Sequence, residues 1–295
     1  MKGGVVNIQR LREVLGIPAT HRGALWLDSY EYAARLSGRH PRDLEMSVAD
    51  SVLALFDTHR LLGPDVVALP GAGFYGPALA ELVQAAPNGD AVAALREAWR
   101  TSSGGDRLRE VVDGVANLVA GTATVALVLP SPSGWLVQAG AEAIDEEAVD
   151  SVAMYLAEHL RTFAESRIAA IVLDEGAGAA DAATVADLYR PILNLAGHYG
   201  WASGICAQSV PNVAALLGTV DFVLQRESSI DDVASHWRAG DAVGGGLSHA
   251  WWADGGPLPD DLAAGAFGFG IVPCDVEPEV VLACVQRWRS AAGDA

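Results

Sequence analysis

"IAAIVLDEG", residues 168–176, decides the fold. Its apolar run has strand length, lacks the alternation of a half-solvated strand, and stops at two carboxylates and a glycine. Such a segment is a strand buried on both faces, and strands of that kind build parallel sheets covered by helices. Its neighbours agree. Upstream, residues 143–166 form a long amphipathic helical pattern. Downstream, 183–200 form another, with Pro191 predicting a kink. The alternation continues in both directions. "GALWLDSY" (23–30), "PDVVALPG" (64–71) and "TATVALVLPSPSG" (122–134) read as strands before it. "WASGICAQS" (201–209), "VDFVLQRE" (220–227), "DAVGGGLSHA" (241–250) and the start of "FGFGIVPCDVEPEVVLACVQRW" (267–288) follow it. A helix over 46–63 ends at Gly63, and Asp231 and Asp232 sit in the first turn of the one that begins at Ser229, where the helix dipole favours them.

Eight strand–helix units predict an α/β fold, a single (β/α)8 TIM barrel over residues 1–295 with 1–22 as a helical lead-in. A doubly wound sheet is the competitor, but no G-x-G-x-x-G follows a first strand, so a dinucleotide cofactor such as NAD is not expected. The only lysine is Lys2. That removes internal Schiff-base chemistry, pyridoxal phosphate (PLP) enzymes and P-loop ATP hydrolysis.

The net charge of −18 argues against nucleic acid and anionic membrane as partners. No apolar run approaches the ~20 residues that span a bilayer, and the start lacks the apolar core of a secretory signal. A cytoplasmic location follows as the expectation. Three cysteines at long spacing, Cys206, Cys274 and Cys284, are no disulfide framework. Cys284 falls at core spacing with Val281 and Trp288 in the last helix.

In a barrel of this kind, chemistry gathers at the carboxyl ends of the strands. Reading off those ends gives Asp28, Asp174, Glu175 and His249 as candidate acid–base groups. Tyr75, Trp135, Gln208, Gln225, Glu227 and Trp251 are candidate substrate contacts, and Cys206 and Cys274 both fall at the mouth. A carboxylate on a buried strand end has the raised pKa that general catalysis uses, although capping a loop or pairing with arginine is the plainer role.

Four stretches carry a resemblance. "HPRDLEMSVADSVLALFDTHRLLGPDVVALPG" (40–71), "VALVLPSPSGWLVQAG" (125–140), "LYRPILNLAGHYG" (188–200) and the closing "FGFGIVPCDVEPEVVLACVQRW" resemble segments of the uroporphyrinogen decarboxylase and cobalamin-independent methionine synthase superfamily. This superfamily includes corrinoid-dependent methyltransferases and shares the barrel. The resemblance also marks departures. The decarboxylase's arginine-rich stretch after the first strand is here "ALWLDSYEY", without arginine, and its closing histidine is here Phe269. Uroporphyrinogen is therefore not the expected substrate.

The zinc methyltransferases of the superfamily use H-x-C and a later cysteine. Here "GIC" keeps Cys206 but has Gly204 for the histidine, and Cys274 matches the later cysteine. Thiolates bind Zn²⁺ at ~2.3 Å, and an open position would activate a substrate thiol. A third ligand would come from Glu175, Glu227 or His249. The resemblance thus implies a small-molecule transferase moving a methyl or alkyl group to a thiol or similar nucleophile, zinc-assisted through Cys206 and Cys274. The methyl donor would be a corrinoid or another carrier, and a homodimer is compatible with the sequence. Two rivals stand beside it. One is a metal-free lyase or decarboxylase acting on a small carboxylic acid through Asp28, Glu175 or His249. The other is a barrel that binds without catalysing.

Overall fold

The computed structural model describes residues 8–15, 23–85, 90–177, 181–208, 210, 212–259, 262 and 265–292. Eight parallel strands close into a barrel in chain order: β1 Ala24–Asp28, β2 Val66–Pro70, β3 Thr124–Pro130, β4 Ile168–Asp174, β5 Ala202–Ala207, β6 Phe222–Gln225, β7 Val243–Gly246 and β8 Phe267–Ile271. The (β/α)8 barrel expected from the sequence is the observed fold.

Helix α1 (Ile8–Val14) leads in; the rest of the expected lead-in, residues 1–7 and 16–22, lies outside the described residues. Between β1 and β2 stand α2 (Tyr30–Leu36), α3 (Pro41–Met46) and α4 (Val48–Leu62). Helices α5 (Ala72–Ala85), α6 (Ala91–Thr101) and α7 (Gly104–Leu118) follow β2, and α8 (Pro132–Gln138) and α9 (Glu146–Leu160) follow β3. Then come α10 (Ala182–Asp187) and α11 (Arg190–Tyr199) after β4, α12 (Val213–Leu217) after β5, α13 (Ile230–Ala239) after β6, α14 (His249–Ala253) after β7 and α15 (Pro278–Ala291) at the end.

The local signals act as their chemistry demands. Ser47 caps α4, accepting from the Asp50 N–H, and Gly63 closes that helix in the left-handed conformation that a glycine adopts without strain. Pro191 differs from expectation. It sits in the first turn of α11, behind a break at Tyr189, so 183–200 is two helices and no kinked one. The first turn is where a proline's missing N–H costs nothing. Strand β7 is also shorter than 241–250, because Ser248 caps α14 and His249 opens it.

The registers sort the barrel's interior. Side chains alternate along a strand, and partners across a parallel pair share a face. Trp26 packs at 5.3 Å, ring centre to ring centre, from Phe222 and at 6.2 Å from Phe267, which marks these positions as inward. They fill the barrel against small neighbours, with Gly204 paired to Phe222 and Gly244 to Leu224. One step of two above this floor, at the carboxyl end, the inward positions include Asp28, Asp174, Cys206 and Arg226, beside the apolar Pro130 and Ile271 that pair with Asp174 and Asp28. Asp174 pairs with Cys206 in the β4–β5 register, and the Arg226 N–H donates to the Ala207 carbonyl at 3.2 Å, continuing the β6 ladder.

Candidate active site

A polar ring thus crowns an apolar plug. Arg226 and Asp174 form an ion pair through Nη2 and Oδ2, with both side chains still about a fifth exposed to the mouth. The Gly176 N–H donates to the other Asp174 oxygen at 2.8 Å, so Asp174 is held from two sides and holds Arg226 in turn. The Cys206 thiol lies against the same guanidinium, and burial pushes its pKa up to about 12 even so. At neutral pH it is a protonated, buried thiol.

Asp28 faces this group from β1. Removal from water lifts its carboxyl from 3.8 to about 6, opposed by the Tyr30 N–H and the Arg226 charge and assisted by Asp174 and Glu31. Two atoms of the ring stay uncommitted among the described residues. Arg226 Nε–H is buried with no acceptor, and the Asp28 carboxyl accepts only from the Tyr30 N–H, at 3.4 Å. A buried N–H without a partner costs about 1–3 kcal/mol, so such groups call for an explanation.

The neighbouring carboxylate lives in another environment. Glu175, one residue beyond Asp174, accepts from Ser131 Oγ and Tyr189 Oη at 2.9 Å each, and Ser133 reaches the same phenol at 3.2 Å. Burial raises its pKa while these two donors pull it down. Both of its oxygens are engaged in tying the β3 and β4 loops to the start of α11. The geometry is that of a clasp between loops and helix, in keeping with the plainer of the two roles weighed above.

The expected substrate contacts divide likewise. Tyr75 and Trp135 are buried outside the mouth, in an aromatic layer between helices. Tyr75 Oη lies 2.6 Å from His159 Nε2, and Trp135 packs edge-on against Tyr75 and Trp99 at 5.9 and 5.5 Å. Burial lowers the His159 pKa to about 4, so the imidazole is neutral. The reason for the displacement is local: Ser131 caps α8, accepting from the Gly134 N–H, and the first helical turn carries Trp135 away from the strand end. Trp251 is buried, with its indole N–H donated to the Pro257 carbonyl at 2.9 Å. Gln208 and Glu227 are exposed, and Gln225 is half-buried on the outward parity of β6. His249 does stand at the rim, exposed, with Nε2 3.1 Å from Asp275 across the β7 and β8 loops.

The two cysteines are not brought together as a metal site. Cys206 is buried in the ring, beside Arg226, Asp174 and Asp28, whereas Cys274 is exposed on the turn after β8, among Glu31, Arg35 and Asp275. Among the described residues no group of three or more His, Cys, Asp and Glu side chains is placed to hold a metal ion. The histidine position of H-x-C is also closed. A Cβ at Gly204 would run into the Phe222 ring, which would have to move to admit a side chain there. These donors do not fit zinc, and the expected zinc-bound thiol has no site in them.

Arg226 is the member of the ring that the strand-end reading passed over, between Gln225 and Glu227. The signal was present: Phe222, Leu224 and Arg226 share one parity, just as Trp26 and Asp28 do.

No family model and no curated protein matches the sequence. Among solved structures, the chain is similar to a methyltransferase from Methanosarcina mazei, with a TM-score of 0.67 and 11% identity over 98% of this chain and 98% of that one. At this identity the likeness shows the shared barrel fold. No described helix is long and apolar enough to cross a membrane.

Proposed function

We propose that the chain transfers a methyl or alkyl group to a small acceptor, X–H, held between Asp28 and Arg226. One observation carries this reading: a carboxyl pushed up to about 6 by burial lies within reach of the Arg226 charge, and the Arg226 Nε–H has no acceptor, at the carboxyl end of the barrel. That is the place and the pKa a general base requires. Methyl transfer as the reaction class draws support from the fold likeness to the Methanosarcina methyltransferase along the whole chain.

In the step, Asp28 takes the proton of X–H. The freed electron pair on X forms the new bond to the methyl carbon, and the old bond to the donor breaks with its pair remaining on the donor. Arg226 Nε–H holds X in line, and Asp174 positions Arg226. The acceptor is a thiol or similar nucleophile, and the donor is a corrinoid or another methyl carrier that enters as co-substrate.

The test is product formation from methylcobalamin or methyltetrahydrofolate with a panel of small thiols and hydroxy acids, read by mass spectrometry. Methylated acceptor should form, and Asp28→Asn should slow it by about 10²-fold or more. No methylated product from any donor–acceptor pair would contradict the reading. A second reading, a metal-free lyase acting on a small carboxylic acid, is favoured by the uncommitted Arg226 N–H, since guanidinium donors suit carboxylates. It predicts turnover of an acid with no methyl donor present, undiminished by chelators.

A further inference from the structure

Opposite charges at the mouth of an apolar barrel ordinarily close on one another, and Asp28 and Arg226 do not. Each acts on the other's charge, yet no hydrogen bond joins them. Arg226 gives Nη2 to Asp174, and its Nε–H has no acceptor. A ligand group seated between the two must offer an acceptor to Nε–H on one side and meet a carboxyl on the other.

We propose that the mouth binds small carboxylates together with a proton, the anion accepting from Arg226 Nε–H on one side and from a newly protonated Asp28 on the other. This rests on the reading of Asp28 and Arg226 as the binding site and deepens its second form, the small carboxylic acid, because an Asp28 protonated against a bound carboxylate is not free to act as the base for X–H. Charge accounting supports it. The groups that face Asp28 are Arg226 from the turn after β6, Asp174 from β4, Cys206 from β5 and Glu31 at the start of α2. Arg226 is the one cation among these, and Asp174 already neutralises it. A bare carboxylate would therefore enter against the uncompensated charge of Asp28, and a proton on Asp28 removes that repulsion while supplying a donor. The Asp28 carboxyl titrates near 6 before any ligand arrives, so the uptake demands only a modest further shift at neutral pH.

The closing experiment needs no methyl donor. Propionate binding is measured calorimetrically from about pH 5.5 to 8 in two buffers of different ionisation heat, with propionamide as comparison. The expected dissociation constant for propionate rises about tenfold per pH unit above about 6.5, with about one proton taken up per anion bound. Propionamide, whose N–H suits an ionised Asp28, should show no such rise. Asp28→Asn should bind propionate with no pH slope, because its amide donates at every pH. Arg226→Gln, folded by circular dichroism, should bind at least about tenfold more weakly throughout. A flat profile in the native protein, a slope that survives in Asp28→Asn, or no binding of propionate and its short homologues would each overturn the inference. If proton-linked binding is found but no methyl transfer, the reaction class falls and this inference stands. Turnover with pH-independent binding gives the reverse.

Discussion

Asp174 and Glu175 are chain neighbours, yet they belong to two different regions. Asp174 looks into the barrel and joins a ring with an unpartnered guanidinium N–H and a carboxyl of raised pKa. Glu175 looks outward into a closed network of Ser131, Tyr189 and Ser133. The aromatic layer of Tyr75, Trp99, Trp135 and His159 lies in that outer region too. The inner ring keeps hydrogen-bonding capacity in reserve, and the outer network uses its own to fasten loops and helices. The difference teaches that position at a strand end is not enough: the face of the strand decides whether a polar group can meet a ligand.

Substitutions should separate the two regions, and the largest effect falls on the outer one. Trp135→Ala empties a fully buried site and should cost about 3–5 kcal/mol in denaturant unfolding, with the turnover of the molecules that remain folded unchanged. Arg226→Gln should weigh on activity instead: turnover falls by about 10²–10³-fold because one oriented donor at the reacting group is lost, and unfolding shows a smaller loss from the broken Asp174 ion pair.

Asp28→Asn tests the strain stored in the ring. The native carboxyl titrates near 6 and the unfolded one near 3.8, so the fold holds the extra proton between these values. Stability therefore declines as pH rises from about 4 to about 6 and is level above. The asparagine variant escapes that decline. It should be the more stable protein by about 2 kcal/mol above about pH 6.5 and no more stable near pH 3.5, as thermal unfolding at both values would show. Cys274→Ser should be the smallest perturbation. An exposed thiol outside the ring should shift neither stability, beyond about 0.5 kcal/mol, nor activity. Loss of activity in that variant would return Cys274 to the site and sink the division drawn here.

Much of this was legible in the chain. Unbroken apolar strands such as 168–173 dictate a covered parallel sheet, and eight strand–helix repeats dictate closure. Asp28 and Asp174 could be named because a carboxylate ending such a strand is unusual. The period of two places Arg226 on the inward face with Phe222 and Leu224, and Glu175, the chain neighbour of Asp174, on the outward face. Other features depend on distance in space. That Phe222 fills the room a histidine would need at 204 follows only once β5 and β6 are paired. That Cys206 and Cys274 sit in different surroundings follows from the turn after β8. Tyr75 and Trp135 left the mouth because α5 and α8 begin within a residue or two of their strands, a boundary that sequence patterns locate only loosely.

The most direct test of the inner ring is a titration of the Asp28 carboxyl by carbon NMR, assigned through Asp28→Asn, with and without propionate. The account predicts a midpoint near 6 in the free protein, moving upward when propionate is added. A midpoint near 4 that propionate leaves in place would contradict it.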